Sequence, residues 1–174
     1  MEYDFVLKFK LAEDSADTND LGERLGEAGC DDAVVGIGQP ARIALDFTRE
    51  ANSAQHAIIS TLEDVKRAIP EAELIEVSPD LAGLTDIAEL VGVSRQSMRK
   101  LMVNHAKTFP APINEGSAAL WHLAPVLEWL SARGGYAIER RLLEIGHIAM
   151  QVNVAKELHR VETPVENRIR ALVA

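Results

Sequence analysis

Apolar and polar residues alternate from Tyr3 to Leu11. Tyr3, Phe5, Leu7, Phe9 and Leu11 fall on one side, and Asp4, Lys8 and Lys10 are among those on the other. A period of two over this length predicts a half-buried strand. A polar stretch, Glu13 to Asn19, follows. Leu21, Leu25 and Ala28 then recur at helical spacing, and Gly29 predicts the end of that helix. Residues 33–37 and 41–48 are two apolar runs on either side of Gly38-Gln39-Pro40, which reads as a hairpin. Ala54 to Ile69 carries Ile58, Leu62, Val65 and Ile69 on one helical face, and Pro70 stops it. Leu74 to Val77 is a short fourth strand.

The order strand, helix, strand, strand, helix, strand predicts a ferredoxin-like βαββαβ domain over residues 1–79. That is an antiparallel sheet with both helices on one face. Such a domain serves dimerisation, partner docking or small-molecule sensing, and all three stay open. RNA-reading sheets of this topology need exposed aromatics and cations. Here Tyr3, Phe5 and Phe9 lie on the apolar face of their strand, and the region is acidic. Gly36-Ile37-Gly38 lacks the third glycine of a dinucleotide fingerprint and runs into Pro40 and a strand, so it reads as a tight turn.

Ser78-Pro79-Asp80 begins a linker into a second domain, residues 80–134. From Leu84 to Leu101 the periodicity is that of two short helices. Thr85 is placed to cap the first, with Ile87, Leu90 and Val91 as its apolar face and Ala88 as a small residue where helices cross. Gly92 predicts a left-handed end to that helix, Val93 plugs the turn, and Ser94 caps the second helix. Met98, Leu101 and Met102 face inward. Arg95, Gln96, Arg99, Lys100 and Val103 are left outward. Long donors near a helix start are what the major groove requires: Arg pairs with guanine and Gln with adenine through two bonds each.

Phe109-Pro110-Ala111-Pro112-Ile113 leads to Asn114-Glu115-Gly116-Ser117 and Leu120-Trp121, two extended pieces around Glu115-Gly116 that predict a small hairpin. A helix from Ala124 to Ser131 follows, with Pro125 in its first turn and Trp129 and Leu130 inward. These residues, 84–130, resemble the winged helix-turn-helix of bacterial transcription regulators, in particular AlpA/excisionase-like and MerR-like proteins. The resemblance covers about a quarter of the chain. It implies a DNA-binding regulator. The chain departs from those families at the wing, where arginines are usual and Asn114, Glu115, Ser117, Leu120, Trp121 and His122 stand instead. Trp121 is either a seal on the small core or a wing aromatic that meets DNA.

From Ile138 to about His159 only Gly146 interrupts helix formation. Ile138, Leu142, Ile145, Ala149 and Val152 step by 4, 3, 4 and 3, an a/d seam over two heptads. The segment 135–174 is thus either a dimerisation helix or one more helix packed on its own chain. A dimer would set two recognition helices about 34 Å apart on a palindrome. Thr163-Pro164 breaks the pattern, and Val165 to Ala174 reads as a short helix or a frayed tail.

Charge refines this picture. The chain has 174 residues, 47% of them apolar, and a net charge of −9. The acid is concentrated: residues 1–80 hold 7 Lys/Arg and 18 Asp/Glu, net −11, whereas residues 81–174 hold 11 and 9, net +2. Arg95 to Lys107 contains four basic residues and no acidic one. Affinity for phosphates follows local charge, not the whole-chain sum. No apolar run approaches the roughly 20 residues of a membrane helix, and Met1 to Lys10 does not read as a signal peptide. A single cysteine, Cys30, leaves no internal disulfide and fits the reducing cytoplasm. Cys30 stands beside Asp31 and Asp32 without the cations that activate a thiolate, so it reads as a packing residue. His56, His105, His122, His147 and His159 lack metal-ligand spacing. No nucleophile sits in a catalytic context, so neither an enzyme, a metal nor a cofactor is expected.

The expectation is an α+β protein: a ferredoxin-like domain, a winged helix-turn-helix and a long C-terminal helix. It would bind double-stranded DNA as a sequence-specific, dimeric transcriptional regulator, with a protein or small-molecule partner on residues 1–79. Arg95, Gln96 and Arg99 are the candidate base readers. Thr85, Ser94, Ser97, Lys100 and Lys107 are phosphate candidates, because hydroxyls and lysines at helix starts and flanks position without specifying. His105 falls near the phosphates after the recognition helix or simply ends that helix. The alternatives from other classes are an antitoxin or adaptor whose acidic domain masks a basic partner, and an architectural recombination factor that bends DNA.

Overall fold

The computed structural model describes residues 1–12, 18–161, 169–170 and 172–173. The break at Thr163-Pro164 and most of the expected tail therefore lie outside the described residues. The protein is mixed α+β. Its first sheet is built from β1 (Glu2–Lys10), β2 (Ala33–Gly36), β3 (Arg42–Glu50) and β4 (Glu73–Ser78), in the order β2-β3-β1-β4, every neighbour antiparallel. The alternation read in β1 is real: Tyr3, Phe5, Leu7 and Phe9 are all buried. Phe5 pairs in register with Phe47 of β3, and the two rings stack at 5.4 Å. Helices α1 (Thr18–Glu27) and α2 (Ala54–Ala68) contribute Leu21, Leu25, Ile58 and Val65 to the same core. Ser53 caps α2 by accepting from His56 N at 3.1 Å. Asp4, Lys8, Lys10, Arg42 and Asp46 point from the other side of the sheet into solvent.

The second core is helical, with a three-stranded sheet of short strands. It comprises β5 (Leu81–Ala82), α3 (Leu84–Leu90), α4 (Arg95–Asn104), β6 (Asn114–Glu115), β7 (Ala119–His122) and α5 (Leu123–Arg133). The sheet order is β5-β7-β6, so residues expected to be linker form an edge strand: Leu81 pairs with His122 and Ala82 with Trp121. Ile87, Met98, Trp121, Leu127 and Leu130 meet in this core. Two expectations fail in α3. Thr85 is not its cap. Gly83 holds that position, and its N–H donates to the Asp86 carboxylate at 2.8 Å, while Thr85 sits exposed inside the first turn. Leu90 does not join the apolar face but is 45% exposed.

The final helix α6 (Arg140–Leu158) belongs to both cores. Ile145 and Ala149 are buried against the first, and Leu142 and Leu143 pack on the second; Ile138 packs there too, but precedes the helix. The predicted seam is therefore spent within the chain and is not free to zip with a second copy. Gly146, which looked like an interruption, is buried where α6 packs on α5, and a Cβ there would make ordinary van der Waals contact with the Cβ of Ala124 at 3.6 Å, so the crossing does not demand a glycine.

Asn153 ties the two cores. β4 is an edge strand, and an edge leaves backbone N–H and C=O groups open. The Asn153 side chain takes the place of a neighbouring strand. Its Oδ1 accepts from Val77 N at 2.9 Å, and its Nδ2 donates to Val77 O at 2.8 Å and to Asp80 Oδ2 at 2.8 Å. The other oxygen of Asp80 lies 2.7 Å from His122 Nδ1 on β7. Lys156, one turn further along α6, donates to Ile75 O. Asn153→Leu would leave three buried polar groups without their partner, at about 1–3 kcal/mol each before relaxation. Urea unfolding of that variant should therefore show stability reduced by about 3 kcal/mol or more. A loss under about 1 kcal/mol would mean that water replaces the amide and that the tie is weak.

Candidate nucleic-acid interface

The turn between α3 and α4 is closed by backbone bonds. Gly92 adopts φ +70°, a left-handed conformation that costs a side-chain-bearing residue strain. Val93 N then donates to Ala88 O at 2.9 Å, which draws the chain back across the end of α3. Ser94, extended at φ −72° and ψ 149°, accepts from Ser97 N at 3.1 Å and so starts α4. Its hydroxyl also lies 2.8 Å from the Ser97 hydroxyl. The N–H groups of Arg95 and Gln96, at the open start of the helix, stay available to an anion.

Burial orients α4. Met98 is fully buried, and Leu101 and Met102 are half-buried behind it. Arg95, Gln96, Ser97, Arg99, Lys100 and Val103 are exposed. Arg95 and Arg99 are one turn apart, as are Gln96 and Lys100, so the four long side chains form one stripe. Among the described residues none of Arg95, Arg99, Lys100 and Lys107 is paired with a carboxylate. The outward face is thus a run of uncompensated positive charge. Lys107 is exposed in the turns after α4, at the opposite end of a helix about 15 Å long, and Thr85 is exposed on α3. The base-reading candidates are therefore contiguous, whereas the phosphate candidates divide between the start of α4, its far end and a different helix.

The hairpin beside α4 has no cation. Asn114, Glu115, Gly116 and Ser117 are exposed at its tip, where Asn114 Oδ1 accepts from Gly116 N at 3.2 Å. Trp121 is a core residue rather than a wing aromatic: it is 4% exposed, and its indole N–H donates to Pro110 O at 3.0 Å. His105 caps the C-terminal end of α4, its ring 5.7 Å from that of Trp129. A further cation that the sequence reading did not single out, Arg133 at the end of α5, lies over the Trp129 ring at 5.7 Å. Nothing in a lone arginine at a helix end would have distinguished it.

Chemistry elsewhere is sparse. Among the described residues no group of three His, Cys, Asp or Glu side chains is arranged to hold a metal ion, and no helix is long and apolar enough to cross a membrane. Contrary to the expectation from its neighbours in sequence, Cys30 does have a cation nearby. Arg49 reaches toward it from β3 but is occupied by Asp32 and Asp64, each at 2.8 Å, and by Gly29 O. Burial dominates and pushes the thiol up to about 11, with Arg49 opposing and the two aspartates assisting. A thiol raised in this way favours the fold while it stays protonated, below its ordinary value near 9. That contribution is lost as pH climbs toward about 11. Ellman's reagent at pH 8 should modify native Cys30 at least about a hundredfold more slowly than the urea-unfolded chain, since the thiolate is the reactive form. Comparable rates in the two states would contradict the burial. In comparisons with known proteins, no family profile, no curated sequence and no solved structure matches the chain.

Proposed function

We propose that the protein binds double-stranded DNA sequence-specifically and acts as a transcriptional regulator. On this reading the first sheet with its two helices is a ferredoxin-like module, and residues 84–130 are a winged helix-turn-helix. The observation that carries it is the outward stripe of α4, where Arg95, Gln96, Arg99 and Lys100 stand exposed with no carboxylate to neutralise the cations. A helix held by a buried Met98 behind and a serine cap at its start presents such side chains to a major groove as a rigid unit.

Arg95, Gln96 and Arg99 read base edges. Lys100, Ser94 and Ser97 hold phosphates beside them, with Lys107 and Thr85 as outer contacts. The cation-free hairpin adds little grip, so α4 and the α3–α4 turn supply most of the affinity. The protein works as a dimer in the cytoplasm, and because the α6 seam is occupied, the two-fold contact uses another surface.

Selection of genomic fragments by the purified protein should return a recurring motif. On that motif Arg99→Ala should lose about 1–3 kcal/mol of discrimination at one base pair. Uniform weakening on all duplexes would remove Arg99 from the base readers. Lys100→Ala should leave the preferred sequence unchanged and lower the slope of log affinity against log salt by about 0.9. An unchanged slope would show that Lys100 touches no phosphate.

A further inference from the structure

A cleft of about 340 Å³ opens where the two cores meet, between β4, β5, α6 and the start of the hairpin. Five of the large apolar side chains left exposed by the fold surround it: Leu81, Ile113, Val154, Leu158 and Val161, each 41–50% exposed. Val154 and Leu158 are one turn apart on α6, and Val161 lies in the turn just beyond it, where its N–H donates to Leu158 O at 3.1 Å. Aliphatic side chains left half wet around a hollow favour whatever apolar surface fills it.

The floor of the cleft is polar, and almost every polar atom in it is already satisfied. The Asn153 amide is used by Val77 and Asp80, both Asp80 oxygens are bonded, and Lys156 is held by Ile75 O and Glu157. A carboxylate only accepts, so the Nδ1 of His122 carries the proton in that pair. In the neutral ring this leaves Nε2 as an acceptor with no partner among the described residues. Apolar walls with a few fixed polar groups are the usual make-up of a small-molecule site, and the volume falls in the range of such sites. A second copy fits poorly: a two-fold contact sets a patch against itself, and two hollows face to face leave space unfilled.

We propose that this cleft binds a small, mainly apolar molecule of phenol or indole type, whose single O–H or N–H donates to His122 Nε2 while its hydrocarbon lies against Leu81, Val154 and Leu158. The site joins residues of the first sheet and α6 to residues of the hairpin, so an occupant would touch both cores. It stands independently of what α4 binds.

The test is an NMR titration of the isotope-labelled full chain with 4-ethylphenol, paired with 4-ethylanisole, which has nearly the same shape but cannot donate. Saturable shifts are expected at Leu81, Ile113, Val154 and Leu158. The anisole should bind about fivefold more weakly, the range of one hydrogen bond. Leu158→Glu, a rim residue 43% exposed, should keep the native spectrum and lose the shifts. Absence of saturable shifts up to the solubility of the phenol would overturn the proposal. So would equal affinity for the two compounds, unchanged binding in Leu158→Glu, or sedimentation showing a dimer that Leu158→Glu dissolves.

Discussion

The Asn153 amide ties the two cores by hydrogen bonds, beside the apolar packing of α6 on both. Asn153 answers both backbone groups of Val77 on the open edge of the first sheet and, with its remaining proton, the carboxylate of Asp80. Asp80 in turn meets His122 on β7, and its own carbonyl accepts from Leu123 N at 2.7 Å. One buried network therefore links the edge of the sheet, the connection between the cores, the hairpin and α6. A buried polar network is costly unless every member is satisfied. Here, among the described residues, no buried side-chain polar atom is left without a partner. The same contact closes an edge that would otherwise invite pairing with another chain.

This arrangement explains what α6 does. A helix whose apolar seam reads equally as a dimerisation surface or as packing on its own chain is used as a strut, with Ile145 and Ala149 in one core and Leu142 and Leu143 on the other. The sequence pattern could not decide between those outcomes, because a 4-3 seam looks the same whether its partner is a second copy or the chain itself. Local signals did better. The alternation of Tyr3 to Phe9, the glycine at position 92 and the serine at 94 each encode their structure within a few residues, and each is found as expected. Two features that were not legible depend on distant partners: the pairing that makes Leu81–Ala82 a strand and the arginine that the fold brings to Cys30. The Asp86 bond to Gly83 is local, and there two neighbouring cap signals, Gly83 and Thr85, compete.

The same division holds for the candidate interface. That α4 would show Arg95, Gln96, Arg99 and Lys100 to solvent follows from the spacing of Met98, Leu101 and Met102 alone. That the cations are uncompensated does not follow from sequence, because 27 acidic residues were available to neutralise them. The fold pairs some of that acid with other cations: Asp32 and Asp64 with Arg49, Glu76 with Lys8, Glu144 with Arg140. On the proposed reading the acidic surroundings would suppress weak binding to any phosphate polymer, and affinity for a duplex would rest on the fit of one helix.

The most direct measurement is the footprint of a selected duplex on the protein, read as amide chemical-shift changes of the labelled chain at low ionic strength. The account predicts changes concentrated in residues 92–100 and little response across β1, β2 and β3. Changes centred on the open face of that sheet, or none at any duplex concentration, would contradict it.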